Sequence, residues 1–162
     1  MLRTPNMPHL VDKPNTATRS IPFHKPSLGE EEILEVVECI KSGWVSTGPR
    51  TERFQKKFAD FVGAKHTLAL NSGTAALHLA LEVIGISEGD EVITTPYTFA
   101  ATSEAILYCG ATPVYVDCDP RSFNILADQI EEKITPRTKA ILPVHFGGQA
   151  CDMDPIIDIA RQ

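Results

Sequence analysis

The sequence predicts an α/β protein built on a mostly parallel sheet with helices on both faces. Strand-like runs at 66–70, 91–94, 113–116 and 139–144 alternate with helix-like runs at 75–84, 99–108, 127–133 and from 154 onward. Gly85, Gly89 and Gly110 fall between the runs, where turns belong. Strict alternation of strand and helix implies crossover connections, which lay parallel strands side by side under packed helices. A length of 162 residues, 43% hydrophobic and 22% charged, suits a globular domain with a real core.

Composition removes several function classes. The net charge of −6, with no Lys/Arg stripe, argues against a nucleic-acid partner. No apolar run reaches the length of a membrane span. The 4 cysteines, Cys39, Cys109, Cys118 and Cys151, form neither a CxxC pair nor a zinc pattern. They read as buried free thiols in a reducing, cytoplasmic compartment, and no metal site is expected.

Residues 1–20 carry Pro5, Pro8 and Pro14 and lack the apolar core of a secretory signal, so they read as a mobile tail. The ordered part opens at Ile21-Pro22-Phe23, in extended form. Ser27-Leu28-Gly29-Glu30 has the spacing of a helix-capping sequence. Ile33, Val36, Val37 and Ile40 recur at helical intervals, and Ser42-Gly43 stops that helix. Trp44 to Pro49 is a loop. A second helix places Phe54, Phe58 and Phe61 on one face, which reads as core packing. Leu126, Ile130 and Ile134 lie four apart, enough for one stripe against a sheet.

Parallel sheets bind ligands at the carboxyl ends of their strands. The first strand-like run ends at Asn71-Ser72-Gly73-Thr74, where an apolar run turns into an Ala/Leu-rich helix. Two readings fit this turn. Asn71 or Ser72 can simply cap the helix. Alternatively the free N–H groups of the first turn, a hydroxyl and the positive end of the helix dipole form an anion site. Gly73 would then let a phosphate approach the backbone, with Thr74 as a side-chain donor. The remaining strand ends carry Thr94 to Phe99, Asp117-Cys118-Asp119 and His145 to Gln149. Phe99 reads as a core residue or a ring-stacking one. His145 reads as a pocket group or a satisfied structural histidine. Asp119-Pro120 marks a turn.

Taken in order, Ile21-Pro22-Phe23, Gly43 to Pro49, Asn71 to Leu77, Gly89 to Ile93, Thr98 to Thr102, Gly110 to Val114, Val144 to Gln149 and Cys151 to Asp154 resemble the DegT/DnrJ/StrS-type sugar aminotransferases. The resemblance spans roughly residues 20–162. It implies the three-layer, aspartate-aminotransferase-like fold of pyridoxal-phosphate enzymes of fold type I. Residues 21–162 would form the N-terminal part of its large domain. It also implies roles. Ser72, Gly73, Thr74 and Ala75 would hold the phosphate of pyridoxal 5′-phosphate, Phe99 would stack on its ring, and His145 would line the pocket. Such enzymes take an amino group from an amino acid, usually glutamate, and pass it to a nucleotide-linked keto-sugar for surface polysaccharide or amino-sugar synthesis. A homodimer of the complete protein is expected.

The chain departs from the family at two positions. The family's aspartate at the pyridine nitrogen and its Schiff-base lysine follow segments that have no counterpart here, and no lysine present sits in a matching motif. No catalytic residue is therefore assigned. The expectation is a chain truncated before that lysine, inactive alone, with an incomplete sheet that folds poorly or self-associates. The rival expectation is a non-catalytic fragment, or one half of a split protein, that binds cofactor phosphate or a complementing chain. A third keeps the fold and changes the chemistry to a pyridoxal-phosphate lyase or dehydratase.

Overall fold

The computed structural model describes residue 22 and residues 24–162. The tail reading for 1–20, and Ile21 and Phe23 of the extended start, lie outside the described residues. The chain divides into a unit that ends at Phe54 and a unit spanning Gln55–Gln162.

In the first unit, α1 (Glu30–Ser42) begins with three glutamates, which the positive helix N terminus favours. Its cap is Gly29, two residues beyond the expected Ser27. The Gly29 N–H donates to the Glu32 carboxylate at 2.6 Å, and this bond holds that carboxyl below its ordinary range. Gly43, at φ 74°, ends the helix in the left-handed conformation that glycine reaches without strain. The Trp44 indole N–H then donates to the Thr47 carbonyl at 2.8 Å. A Cβ on Gly48 would overlap that indole, so only glycine lets the loop close beneath it. The expected apolar stripe of α1 forms at helical spacing, yet none of its residues is buried.

α2 (Pro49–Val62) starts on proline, whose missing N–H costs nothing at a first helical position. Its phenylalanine row is a correction to the core reading. Phe54, Phe58 and Phe61 are all exposed, Phe61 by 88%. No side chain of α2 is buried.

In the second unit, the expected strand at 66–70 joins no ladder. A strand needs a neighbour, and here Gln55 of α2 takes that place. The Thr67 hydroxyl donates to the Gln55 carbonyl at 2.6 Å, and the Ala69 N–H donates to Gln55 Oε1 at 2.8 Å. The chain then runs through α3 (Gly73–Val83), β1 (Glu91–Thr94), α4 (Ala101–Tyr108), β2 (Thr112–Tyr115), β3 (Thr138–Ile141) and α5 (Met153–Ala160). The expected helix at 127–133 is instead two short 3₁₀ turns, Ala127–Gln129 and Glu131–Lys133. The tighter turn breaks the 3.6-residue period. Ile130 is therefore fully buried while Ile134 is 45% exposed.

The three strands are parallel, in the order β2-β1-β3. β1 is the central strand and every residue of it is buried. Successive side chains of a strand face opposite ways, so its two central residues enter different cores. Val92 joins Leu81, Ile86, Ala105 and Ile106, the layer of α3 and α4. Ile93 joins Val116, Ile125, Ile130 and Ile156, the layer of the 3₁₀ turns and α5. Helix, sheet and helix thus form three layers, as the alternating pattern predicts. Pairing continues past β3, because the Leu142 N–H donates to the Ile93 carbonyl at 2.8 Å. The free cysteines are two buried, Cys109 and Cys151, and two half-buried, Cys39 and Cys118. Among the described residues no helix is long and apolar enough to cross a membrane.

The amino end of β1 is pinned by charge. Glu91 is buried and accepts from the Thr135 hydroxyl at 2.6 Å and from Arg137 Nε at 2.9 Å. Those bonds, Thr135 first, hold its carboxyl below the ordinary value of 4.5. Above that value both folded and unfolded chains carry the charge, and the stabilisation is complete. Below it the unfolded chain takes up the proton first, and the stabilisation is lost as pH falls through the lower folded value. Glu91→Gln should therefore flatten the decline of Tm with pH below about 4.5, read by calorimetry across an acid series. An unchanged slope would contradict the pairing. On the opposite side, Ile106→Ala removes a fully buried side chain and should cost ~2–5 kcal/mol in urea unfolding. A cost below ~1 kcal/mol would mean the α4 layer is not tightly packed.

Candidate functional site

Two places carry the residues singled out in the sequence. The first is the start of α3. Ser72 is extended, at φ −158° and ψ 158°, and its hydroxyl accepts the Ala75 N–H at 3.1 Å. The Ala76 N–H bonds the Ser72 carbonyl at 3.2 Å. Ser72 is thus a helix cap, and the Ala75 donor is committed to it. The N–H groups of Gly73 and Thr74 and the Thr74 hydroxyl have no partner among the described residues. A Cβ built on Gly73 meets no atom within 4 Å, so the space over the helix end is open. Cap and open donors therefore coexist in one turn. Two backbone donors, one hydroxyl and the dipole of an eleven-residue helix fit an anion such as a phosphate.

The second place is a cleft of about 270 Å³ at the carboxyl end of the sheet. One wall is Pro96 to Phe99, the exit from β1. The other is Val144 to Gly147, which follows β3. Phe99 precedes α4, since the helix begins two residues later than its pattern suggests. Its carbonyl accepts the Thr102 N–H at 3.0 Å, while its ring is 80% exposed. That exposure removes the core reading of Phe99 within this chain. His145 faces the same cleft, so Phe99 and His145 are brought together. Ser72 to Ala75 are not among its lining residues.

Tyr97 and Phe146 of these walls pack with Phe123 into a cluster of three rings. Tyr97 and Phe123 stack at 4.9 Å, and Phe146 tilts against them at 4.8 and 5.3 Å. Phe123 holds φ at 61°, an uncommon conformation for a bulky residue. The turn before it explains this. Asp119 accepts the N–H groups of Ser122 at 2.8 Å and Arg121 at 3.0 Å, bonds that hold its carboxyl below the ordinary range. The Phe123 N–H then closes on the Asp119 carbonyl at 2.8 Å. Asp119 shapes a turn, as Asp119-Pro120 suggests. The parts missed by sequence reasoning are Phe123 and Asn124, whereas Phe146 lies in the His145 to Gln149 strand end that the sequence marks without giving it a role of its own. Asn124 is buried and bonds three backbone groups of the segment after His145. Only the Asp-Pro turn and the aromatic content of the strand ends hinted at this cluster.

A third group, His78, Glu82 and Cys109, places its ligand-capable atoms within 4.8 Å of one another. Local bonds account for it. His78 pairs with Glu82 one helical turn away at 3.3 Å. Burial, and then the Glu82 charge, pushes the Cys109 thiol up, and the thiol donates to the Ala105 carbonyl at 3.4 Å.

Other proteins resemble this chain along most of its length. It is 55% identical over 141 residues to the spore coat polysaccharide biosynthesis protein SpsC of Bacillus subtilis, covering 87% of this chain and 36% of that protein. It is 53% identical over 138 residues to the GDP-perosamine synthase of Caulobacter vibrioides, covering 85% of this chain and 37% of that protein. Among solved structures, the Streptococcus pneumoniae protein Spr1654 in its PLP form superposes with a TM-score of 0.81 at 41% identity. That match covers 86% of this chain and 36% of the other. The chain thus spans little more than a third of the length of these relatives. Its mixed α/β build on a parallel sheet is that of the corresponding part of such enzymes. Residues 26–162 match throughout, and the chain belongs to the DegT/DnrJ/EryC1/StrS aminotransferase family.

Proposed function

We propose that this chain supplies the cofactor-holding part of a pyridoxal-phosphate aminotransferase that transfers an amino group, from glutamate, to a nucleotide-linked keto-sugar in surface polysaccharide or amino-sugar synthesis. The observation that carries the proposal is the α3 terminus, with two uncommitted N–H groups, a hydroxyl and open space over Gly73. The names of relatives support the substrate class, since SpsC is a polysaccharide biosynthesis protein and another relative is a GDP-perosamine synthase. Solved relatives in PLP and PMP forms support the cofactor.

Each residue has a task that follows from its place. Ser72 fixes the first turn of α3 by taking the Ala75 N–H, which leaves the Gly73 and Thr74 N–H groups pointing outward. Those groups and the Thr74 hydroxyl hold the phosphate. Phe99 offers a flat exposed face that fixes the plane of the ring. His145 lines the pocket beside it. When bound, the cofactor supplies the electron sink for exchanging an amine between donor and acceptor. This chain orients that group, and no residue in it is assigned the proton shuttle. By itself it should bind the cofactor without turnover.

An absorbance and fluorescence titration with pyridoxal 5′-phosphate, run beside pyridoxal lacking the phosphate, tests this. Thr74→Ala loses a hydrogen bond to a charged group and should weaken binding of the phosphorylated ligand roughly tenfold, with no effect on pyridoxal. An equal affinity for both ligands in the unaltered chain would contradict the phosphate cradle. Phe99→Ala should weaken both ligands by about three- to tenfold through lost stacking. Borohydride treatment should fix no adduct on a particular lysine, and a stoichiometric adduct on one would place the chemistry within this chain.

A further inference from the structure

The backbone around His145 decides which ring nitrogen faces the cleft. The Cys151 N–H donates to His145 Nδ1 at 3.0 Å. A backbone N–H carries its hydrogen at all times, so its partner must offer a lone pair. In the neutral ring Nδ1 is therefore bare, and the single ring N–H sits on Nε2. Turning the ring over would set a C–H against the Cys151 N–H and leave that donor without a partner. No acceptor among the described residues takes the Nε2 hydrogen, and His145 lines the cleft that Phe99 shares.

The segment that sets this geometry is held from one side chain. Asn124 is 6% exposed, and its amide makes three hydrogen bonds. Oδ1 accepts the Phe146 N–H at 3.0 Å. Nδ2 donates to the carbonyls of Gln149 at 3.2 Å and Ala150 at 3.1 Å. Asn124 thus ties both ends of the loop between His145 and Cys151. The Cys151 thiol closes it again by donating to the Val144 carbonyl at 3.2 Å. An aspartate at 124 would accept but not donate, and a leucine would do neither.

We propose that Asn124 is a positioning residue that, through the 145–151 loop, locks His145 in its Nε2–H tautomer and makes it a fixed hydrogen-bond donor at the cleft. The ligand this selects presents a flat ring to Phe99 and an acceptor oxygen (phenolate, carboxylate or carbonyl) to His145. A ligand with a donor at that point meets a donor and is disfavoured. The identity of the ring rests on the cofactor proposal above, whereas the tautomer lock does not.

Long-range ¹H–¹⁵N correlation of the imidazoles in the histidine-labelled chain tests it, with His145 picked out from the 5 histidines by its loss in His145→Gln. The expected spectrum has a pyridine-type Nδ1 and a pyrrole-type Nε2 for His145. A protonated Nδ1 or a tautomer average in the unaltered chain overturns the lock. In Asn124→Ala the two nitrogens should move towards each other while the remaining histidine signals stay in place. A folded Asn124→Ala with His145 unmoved overturns the role of Asn124. Should Asn124→Ala unfold, Cys151→Pro removes the donor itself and must produce the same averaging. Adding pyridoxal 5′-phosphate should shift the Nε2 proton. Binding without that shift overturns the donor role and leaves the cofactor proposal standing. An intact lock with no binding overturns the cofactor proposal and the ligand assignment, and leaves the lock.

Discussion

The structure depends on β1 being buried on both faces. Val92 and Ile93 are adjacent and fully buried, and they point into separate cores. A strand of that kind cannot stand on a one-sided sheet, because one of the two residues would face water. It needs α3 and α4 on one side and the Ile125 to Ile130 region with α5 on the other. Fully burying a side chain of this size is worth about 1.5–3 kcal/mol, so each face contributes on the scale of a domain's net stability. The chain leaving β1 must then cross the sheet's carboxyl edge, where Thr95 to Phe99 lie. β3, bonded alongside, delivers Val144 to Gly147 to the same edge. The cleft follows from the pairing.

The site residues are polar or exposed where the core is not. Ser72 does two things at once: its hydroxyl caps α3, and the cap leaves the neighbouring donors outward. Phe99 is a large apolar side chain in water, a placement that a core could have absorbed within a turn of α4. Exposure of a ring beside a cleft suits a partner ring better than packing. Asn124 supplies the rigidity behind the opposite wall. Its bonds all run to main chain, so one buried amide ties down a loop whose turn is made by Gly147 and Gly148 at positive φ.

What could be read in the sequence was what local chemistry decides. β1, α3 and α4 show their periods, their glycine stops and their apolar faces within a dozen residues. Features set by distant partners could not be read. The run at 66–70 has the composition of a strand, but pairing is a property of two segments, and Gln55 satisfies its donors instead. The row Phe54, Phe58 and Phe61 has the spacing of a core face, yet spacing says nothing about what lies opposite. Leu126, Ile130 and Ile134 promised a helical stripe that 3₁₀ geometry cannot keep. At the site, the Ser72 turn was legible because caps are local. The bonds of Asn124 reach 22 to 26 residues along the chain, and no local pattern signals them.

The α3 terminus and the Phe99–His145 cleft are proposed to serve one ligand. Backbone amide and side-chain shifts of the chain, followed by NMR during addition of pyridoxal 5′-phosphate and separately of inorganic phosphate, test it most directly. The expected result is that inorganic phosphate moves the Gly73 and Thr74 amides alone. Pyridoxal 5′-phosphate should move those amides together with the Phe99 ring and the His145 imidazole, along one saturation curve. Separate curves for the two groups, or movement at Phe99 with Gly73 and Thr74 unmoved, would contradict it.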